Sequence, residues 1–301
     1  FQKKYGYKVG WSTMRKNLLS QTEEMQQKGN FDTKINYMSI FEKDPEECDL
    51  LINDEAHRAV CPSGLAQYNK IKPKKCIGIT ATPFRSDKAS LLFDVVIREC
   101  NLRRLVKEGY LASFNYFSIS SWTPEFVANL YMKEEKRWGQ SLVFFHTEEQ
   151  CYEFAKILNE NNISCDVVTS KTNKEKQIED FKNKKIKVLV NMLILTEGFD
   201  YAELETVFIK NSQKGITIQM GGRVLRKNDN QIKNIVQDNH TNYPFYRLAE
   251  PKREFSLEHN GEWKELTMNP HLAQIIKKAV RLKSKKSFEI AKKQKKKEKV
   301  A

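Results

Sequence analysis

Short apolar runs of four to seven residues recur along this chain with helically spaced stretches between them, a pattern that predicts βαβ units feeding parallel sheets. Strands are expected at 8–12, 35–39, 49–53 and 76–81 in the first half, and at 141–146, 165–169, 187–191, 206–209 and 234–237 in the second. Helix starts are marked by side chains able to satisfy the orphan amides of a first turn. Thr147 with Gln150 makes one capping box, ahead of Cys151, Phe154, Ala155 and Leu158 on a single face; Thr172 with Glu175 makes another, ahead of Ile178 and Phe181. The fold class that follows is α/β, two doubly wound parallel-sheet units at 1–112 and 113–250 with a connection near 109–124. Residues 239–267 are polar and aromatic with irregular spacing and read as an ordered extension, so that 251–301 forms a third segment. Within it Asn269 and Pro270 signal a helix start, and Leu272, Ile275, Ile276, Ala279 and Val280 draw an apolar stripe that packs on the body.

Charge changes this picture by pointing to a partner. The net charge is +14, and residues 271–301 hold twelve Lys and Arg against only Glu289 and Glu298. A basic helical tail on a body of near-ordinary charge implies a polyanion. No apolar run approaches the roughly 18 residues of a membrane span, and no signal peptide opens the chain, so secretion and membrane insertion are not expected and the cytoplasm or nucleus is. The six cysteines form no C-x-x-C pair and read as reduced core residues rather than metal ligands.

Two strings carry most of the chemistry. Leu50-Leu51-Ile52-Asn53-Asp54-Glu55-Ala56-His57 is an apolar strand delivering two carboxylates at its C-terminal end, where α/β proteins place Mg²⁺ and catalytic groups. Gln219-Met220-Gly221-Gly222-Arg223-Val224-Leu225-Arg226 puts Arg223 and Arg226 three apart, on neighbouring positions of one helical face, suited to charge on a transferring phosphoryl group. Two unpaired cations there would need an anionic partner. Gly222 has a further account as a tight contact between helix and sheet.

In this order the two strings resemble motifs II and VI of superfamily 2 helicases, and other segments agree. Gly78-Ile79-Thr80-Ala81-Thr82-Pro83-Phe84-Arg85 is similar to motif III, Gly10-Trp11-Ser12-Thr13-Met14-Arg15 to motif Ia, Leu142-Val143-Phe144-Phe145-His146 to motif IV and Thr196-Glu197-Gly198-Phe199-Asp200 to motif V. The Asp54-Glu55-Ala56-His57 form, Thr80-Ala81-Thr82-Pro83, Glu108-Gly109-Tyr110-Leu111 at the junction and the Gln219-x-x-Gly222-Arg223-x-x-Arg226 string together resemble the branch of DNA helicases and translocases that holds excision-repair enzymes, restriction-enzyme motor subunits and phage helicases. The resemblance implies two RecA-like domains, the first incomplete, with ATP and Mg²⁺ as cofactors. It gives Asp54 to Mg²⁺, Glu55 to activation of water, and Arg223 and Arg226 to phosphate. His57, Thr80, Thr82, Gly198, Asp200, Gln219 and Gly222 fall to nucleotide binding and coupling, and Arg15, Ser39, His146 and Thr196 to the nucleic-acid strand. Phe144 and Phe145 read as core rather than as stacking platforms.

One departure matters. No Gly-x-x-x-x-Gly-Lys-Ser/Thr loop occurs and the chain opens at Phe1, so a fragment whose phosphate-binding loop lies upstream is expected, itself a poor ATPase. The function implied is an ATP-dependent DNA helicase or translocase acting on duplex, forked or branched DNA, with or without further subunits of a repair, replication or restriction complex. Its rivals are a nucleic-acid-binding module without catalysis and a restriction-type subunit that moves on duplex without unwinding it.

Overall fold

The computed structural model describes residues 2–14, 16–29, 33–83, 91, 93–97, 101–196, 198–229 and 231–266; Arg15, Glu197 and the basic tail lie outside them. Four parallel strands, β1 (Val9–Thr13), β2 (Ile35–Ser39), β3 (Leu50–Asp54) and β4 (Lys75–Ile79), form a first sheet in the order β2-β1-β3-β4. Its helices are α1 (Gln2–Tyr5), α2 (Lys16–Lys28) and α3 (Pro62–Ile71). The second sheet has eight strands: β5 (Phe114–Ile119), β6 (Ser141–Phe144), β7 (Cys165–Val168), β8 (Val188–Asn191), β9 (Thr206–Ile209), β10 (Lys233–Asp238), β11 (Glu254–Leu257) and β12 (Trp263–Glu265). Their order is β12-β11-β5-β10-β9-β6-β8-β7, parallel except for the β11–β12 pair. The helices α4 (Leu102–Lys107), α5 (Pro124–Lys133), α6 (Glu135–Trp138), α7 (Glu148–Glu160), α8 (Lys174–Lys182) and α9 (Lys214–Gly222) complete it.

The second sheet is buried on both faces, and the period of two along each strand sorts its side chains. Val143 of β6, Val190 of β8, Phe208 of β9 and Val236 of β10 join one core with Val127 and Tyr131 of α5 and Phe154 and Leu158 of α7. Their neighbours Leu142, Leu189, Val207 and Ile235 face the opposite core with Phe181 of α8 and Met220 of α9. Continuous apolar strands are what a sheet covered by helices on both sides requires. Phe144 and Phe145 are fully buried, one in each core, as the sequence suggests. The first sheet is thinner: its described core is Met38, Cys48, Leu51 and Ile71. Its outer strand β4 leaves Ile77 and Ile79 exposed.

Several expectations need correction. Strand β5 occupies the stretch read as a connection, because Phe114, Tyr116 and Phe117 alternate between the two cores rather than following a helical period. Leu102, Val106 and Leu111, on the first side of the expected boundary, pack against the second core, and Ala112 N–H donates to Leu225 O. Residues 254–265, read as an extension, add two strands beside β5, with Phe255 stacked on Phe117 at 4.8 Å. The Thr147–Gln150 capping box is present. The second is not: the Thr172 hydroxyl turns back to Thr169 O, and Asn173 caps α8 instead, accepting from Lys176 N–H.

Candidate functional site

Strand β3 ends on Asp54, and the chain then turns sharply. Glu55 adopts φ +52, a left-handed conformation that a side chain with a Cβ resists. Asp54 Oδ1 accepts the Glu55 N–H at 2.9 Å, and Ala56 N–H donates to Ile79 O at 2.9 Å, which lays the turn over the end of β4. Gly78 permits this approach: a Cβ there would stand 2.7 Å from the Ala56 Cβ and 2.4 Å from the Phe93 ring. His57 is thereby placed with Nδ1 2.9 Å from Thr80 Oγ1, 3.4 Å from Thr82 Oγ1 and 3.3 Å from Glu55 Oε2. The Thr82 N–H donates to Thr80 Oγ1 at 3.1 Å. Asp54, Glu55, His57, Thr80 and Thr82 are therefore gathered at the C-terminal ends of two adjacent strands, the imidazole hydrogen-bonded to the threonines and in contact with the Glu55 carboxylate.

A residue that sequence reasoning missed organises the neighbouring strand ends. Gln67 of α3 is buried; its Oε1 accepts from Ser12 Oγ at 2.6 Å, and its Nε2 donates to Ser39 O at 3.0 Å. Ser39 Oγ accepts the Phe41 N–H. The ends of β1 and β2, where Arg15 and Ser39 are expected to meet a strand, are thus tied through one amide. A polar residue on the buried side of a short helix was the available signal.

The second group is arranged differently from what spacing suggests. Helix α9 ends at Gly222, and Arg223 and Arg226 lie in the turn beyond it rather than on a helical face. Neither arginine waits unpaired. Arg223 donates from Nη1 to Phe199 O at 2.9 Å and from Nε to Gln219 O at 3.3 Å, and Arg226 Nε lies 2.8 Å from Asp200 Oδ1. The tight contact expected of Gly222 belongs to Gly221, whose Cβ would meet Phe245 at 2.2 Å, whereas a Cβ on Gly222 would meet nothing within 4 Å. Gly198 has φ +70, which accounts for glycine there. Lys233, fully buried at the start of β10, donates to Ala202 O and to Gln231 Oε1, both at 2.7 Å. Three cations thus hold the short segment 199–202.

Thr196 is buried, with its hydroxyl on Leu193 O at 2.6 Å. His146 is exposed at the end of β6; burial of part of its ring and the nearby Lys210 lower its pKa, with Asp238 opposing them. A cavity of about 710 Å³ lies at the opposite, N-terminal strand ends, lined by Gln140, Lys187, Glu205 and Gln231. It is away from these motif residues, and its lysines 184 and 187 pair with Glu203 and Glu135.

With this geometry in place, the likeness to known proteins has a physical counterpart. Residues 12–85 match the type III restriction enzyme res subunit family, and residues 122–228 match the helicase conserved C-terminal domain. The chain is 25% identical over 224 residues to the putative ATP-dependent helicase IRC3 of Saccharomyces cerevisiae, covering 61% of this chain and 32% of that protein. A 51.5 kDa protein of a Lactococcus phage is 24% identical over 249 residues, covering 72% of this chain and 54% of its own length. The chain belongs to helicase superfamily 2. This superfamily 2 chain spans about half or less of the length of those relatives. Solved structures show the fold: a DNA-bound ATP-dependent type ISP restriction-modification enzyme, LlaBIII, superposes with a TM-score of 0.51 at 15% identity, over 76% of this chain and 22% of that one. Dbp5 of S. cerevisiae bound to RNA and ADP BeF3 does so at 0.56 and 14% identity, over 83% and 77%. The fold is α/β with RecA-like parallel sheets. No helix among the described residues is long and apolar enough to cross a membrane.

Proposed function

We propose that this chain is motor machinery of an ATP-dependent DNA helicase or translocase, with ATP between its two sheets, Asp54 and Glu55 on one wall and Arg223 and Arg226 on the other. The observation that carries this reading is the group at the ends of β3 and β4, where His57 lies within reach of both Glu55 and Thr80. A carboxylate able to orient water is there joined by one imidazole to the hydroxyls of the next strand end, a short path from nucleotide state to strand grip. Asp54 would hold Mg²⁺. The donor set fits: Mg²⁺ is commonly held by one or two carboxylates with phosphates and waters, so it does not require the three-ligand His/Cys/Asp/Glu group that is absent among the described residues. When bound, the ion supplies charge neutralisation at the phosphates.

The remaining assignments follow the motif positions. Thr80, Thr82, Gly198, Asp200, Gln219 and Gly222 line or couple to the nucleotide site, and the open space beside Gly222 leaves room for a ligand. Arg15, Ser39 and His146 meet the nucleic-acid strand; Thr196 joins them once its turn opens. The res-subunit match and the DNA-bound restriction enzyme support DNA as the polymer. The res-subunit match also favours a second reading, a restriction-type translocase that moves on duplex without separating strands. A third is a binding module without hydrolysis.

The test is ATP turnover by the whole protein with single-stranded, duplex and forked DNA, and with RNA as control. Glu55→Gln is expected to leave nucleotide binding nearly intact and to cut turnover by about 10²–10⁴-fold, the usual worth of general-base assistance. Retention of turnover within about threefold would remove Glu55 from the mechanism. Stimulation by duplex without strand separation selects the translocase; DNA affinity with no turnover in the unsubstituted protein selects the binding module.

A further inference from the structure

The end of β6 is held from three directions, and one of the tethers is a buried cation. Phe145 N–H donates to Asn191 O at 3.1 Å, continuing the ladder, and His146 N–H donates to Gln150 Oε1 at 3.1 Å, inside the capping box of α7. The third tether comes from β9. Lys210, the residue after that strand, is 5% exposed, and its Nζ donates to Phe145 O at 2.7 Å. Among the described residues no carboxylate forms an ion pair with it; Cys151 of α7 is the ionisable group beside it. Burial lowers the lysine's pKa. A neutral donor would satisfy Phe145 O equally well, and an uncompensated buried cation costs folding free energy. Stability alone therefore does not account for lysine here.

The position is informative. From β6 the chain leaves through α7 toward β7 and β8; from β9 it leaves through α9 toward β10. The crevice between the C-terminal ends of β6 and β9 is thus the point where the winding of the sheet reverses, and α/β sheets bind ligands outside such a point. His146 stands on its rim. We propose that Lys210 is a positioning residue which, from inside the sheet, fixes the end of β6 and so the presentation of His146 to a nucleic-acid backbone. This rests on the reading of His146 as a strand contact. The charged groups around the imidazole are Lys210 from β9 and Asp238 from β10, and Asp238 is itself engaged by His240 at 3.0 Å. Partial burial of the ring and then Lys210 disfavour the imidazolium, so His146 meets phosphate or base as a neutral hydrogen-bonding group rather than as another salt-sensitive cation.

The experiment compares Lys210→Met, which removes donor and charge, with Lys210→Gln, which keeps an amide donor, together with His146→Ala and Lys210→Met/His146→Ala. Affinity for a labelled single-stranded 20-mer is measured in about 0.3 M salt, where scattered lysine–phosphate contacts are weak. One positioned hydrogen bond predicts a loss of about three- to tenfold for Lys210→Met and for His146→Ala, with no further loss in the double variant and Lys210→Gln within about twofold of the unsubstituted chain. The His146 Cε1–H resonance, followed against pH, should titrate higher in Lys210→Gln. If His146→Ala leaves affinity unchanged, the strand contact at His146 is wrong and the inference falls with it. If His146→Ala weakens binding while Lys210→Met does not, or the two losses add, Lys210 is structural only. Should Lys210→Met fail to fold, Lys210→Ala takes its place, and an affinity equal to that of the unsubstituted chain overturns the proposal.

Discussion

The two groups of motif residues are built on opposite plans. At the end of β3 the backbone does the placing: Glu55 sits at φ +52, Ala56 is hydrogen-bonded to Ile79, and Gly78 lets the two segments approach. Beneath it the described core of the first sheet is four residues. Beyond α9 the side chains do the placing: Arg223, Arg226 and Lys233 reach out to Phe199, Asp200 and Ala202 from a sheet whose strands are buried on both faces. A backbone device over a thin core is sensitive to small changes of shape. A side-chain device over a dense core tolerates them and is sensitive to loss of particular groups. A change of shape at the acid end should therefore lose stability and function together, whereas loss of a charged group at the arginine end should lose function alone.

Arg226→Ala is the strongest test of that contrast. Its ion pair with Asp200 is exposed on both sides, 45% and 67%, so it contributes no more than about 1 kcal/mol to folding. If Arg226 leaves Asp200 to meet transition-state charge, DNA-stimulated ATP turnover of the whole protein should fall by about 10³–10⁵-fold, as for arginine fingers generally, with little change in melting temperature. Unfolding of the second unit in this variant would make Arg226 a structural member of the turn and break the comparison at its functional side.

Two glycines sharpen it from the side of stability. Gly78→Ala forces a methyl to within 2.4 Å of Phe93 and 2.7 Å of the Ala56 Cβ, an overpacking expected to cost about 1–3 kcal/mol and to shift the Glu55–His57–Thr80 geometry with it. Gly222→Ala meets nothing within 4 Å and ends a helix, so it should be neutral or stabilising by up to about 1 kcal/mol. The denaturant midpoint should fall in Gly78→Ala and stay or rise in Gly222→Ala; equal shifts would mean that the thin and dense regions respond alike.

How much of this was legible in the sequence follows the same division. The strands of the second sheet are read well because continuous apolar runs can only be buried between helices, and the Thr147–Gln150 box follows from local chemistry. Strand β5 was missed because Phe114, Tyr116 and Phe117 sit among turn residues, and β11 and β12 because their polar positions are half-exposed at the sheet's edge. At the sites, residue types pointed to particular strand ends, but their partners did not show. Nothing local reveals that Arg226 meets Asp200 or that Lys210 and Lys233 are buried, since these contacts cross the sheet between residues far apart in the chain. Spacing alone also placed Arg223 and Arg226 on a helix that stops one residue earlier.

The smallest effect tests whether the conformation of Glu55 is held for function. A non-glycine residue in the left-handed region costs roughly 1 kcal/mol relative to glycine, and such strain persists where the surroundings over-determine it. Glu55 also brings its carboxylate to 3.3 Å from His57 Nδ1, a contact only 22% and 15% exposed, which returns part of that cost. Replacing Glu55 by glycine relieves the backbone and removes the contact. If the backbone strain outweighs the contact, Glu55→Gly should raise stability by a few tenths of a kcal/mol up to about 1 kcal/mol while abolishing turnover. Glu55→Gln, which keeps the strain and weakens the contact, should be equal to or below the unsubstituted chain. Glycine is then the more stable residue at this position and glutamate the more active one, the trade expected of a site shaped for chemistry. Urea unfolding of the three chains decides it. A Glu55→Gly chain less stable than Glu55→Gln would show that the carboxylate contributes more to the fold than its backbone costs, and the acid end would then be held by side chains as the arginine end is.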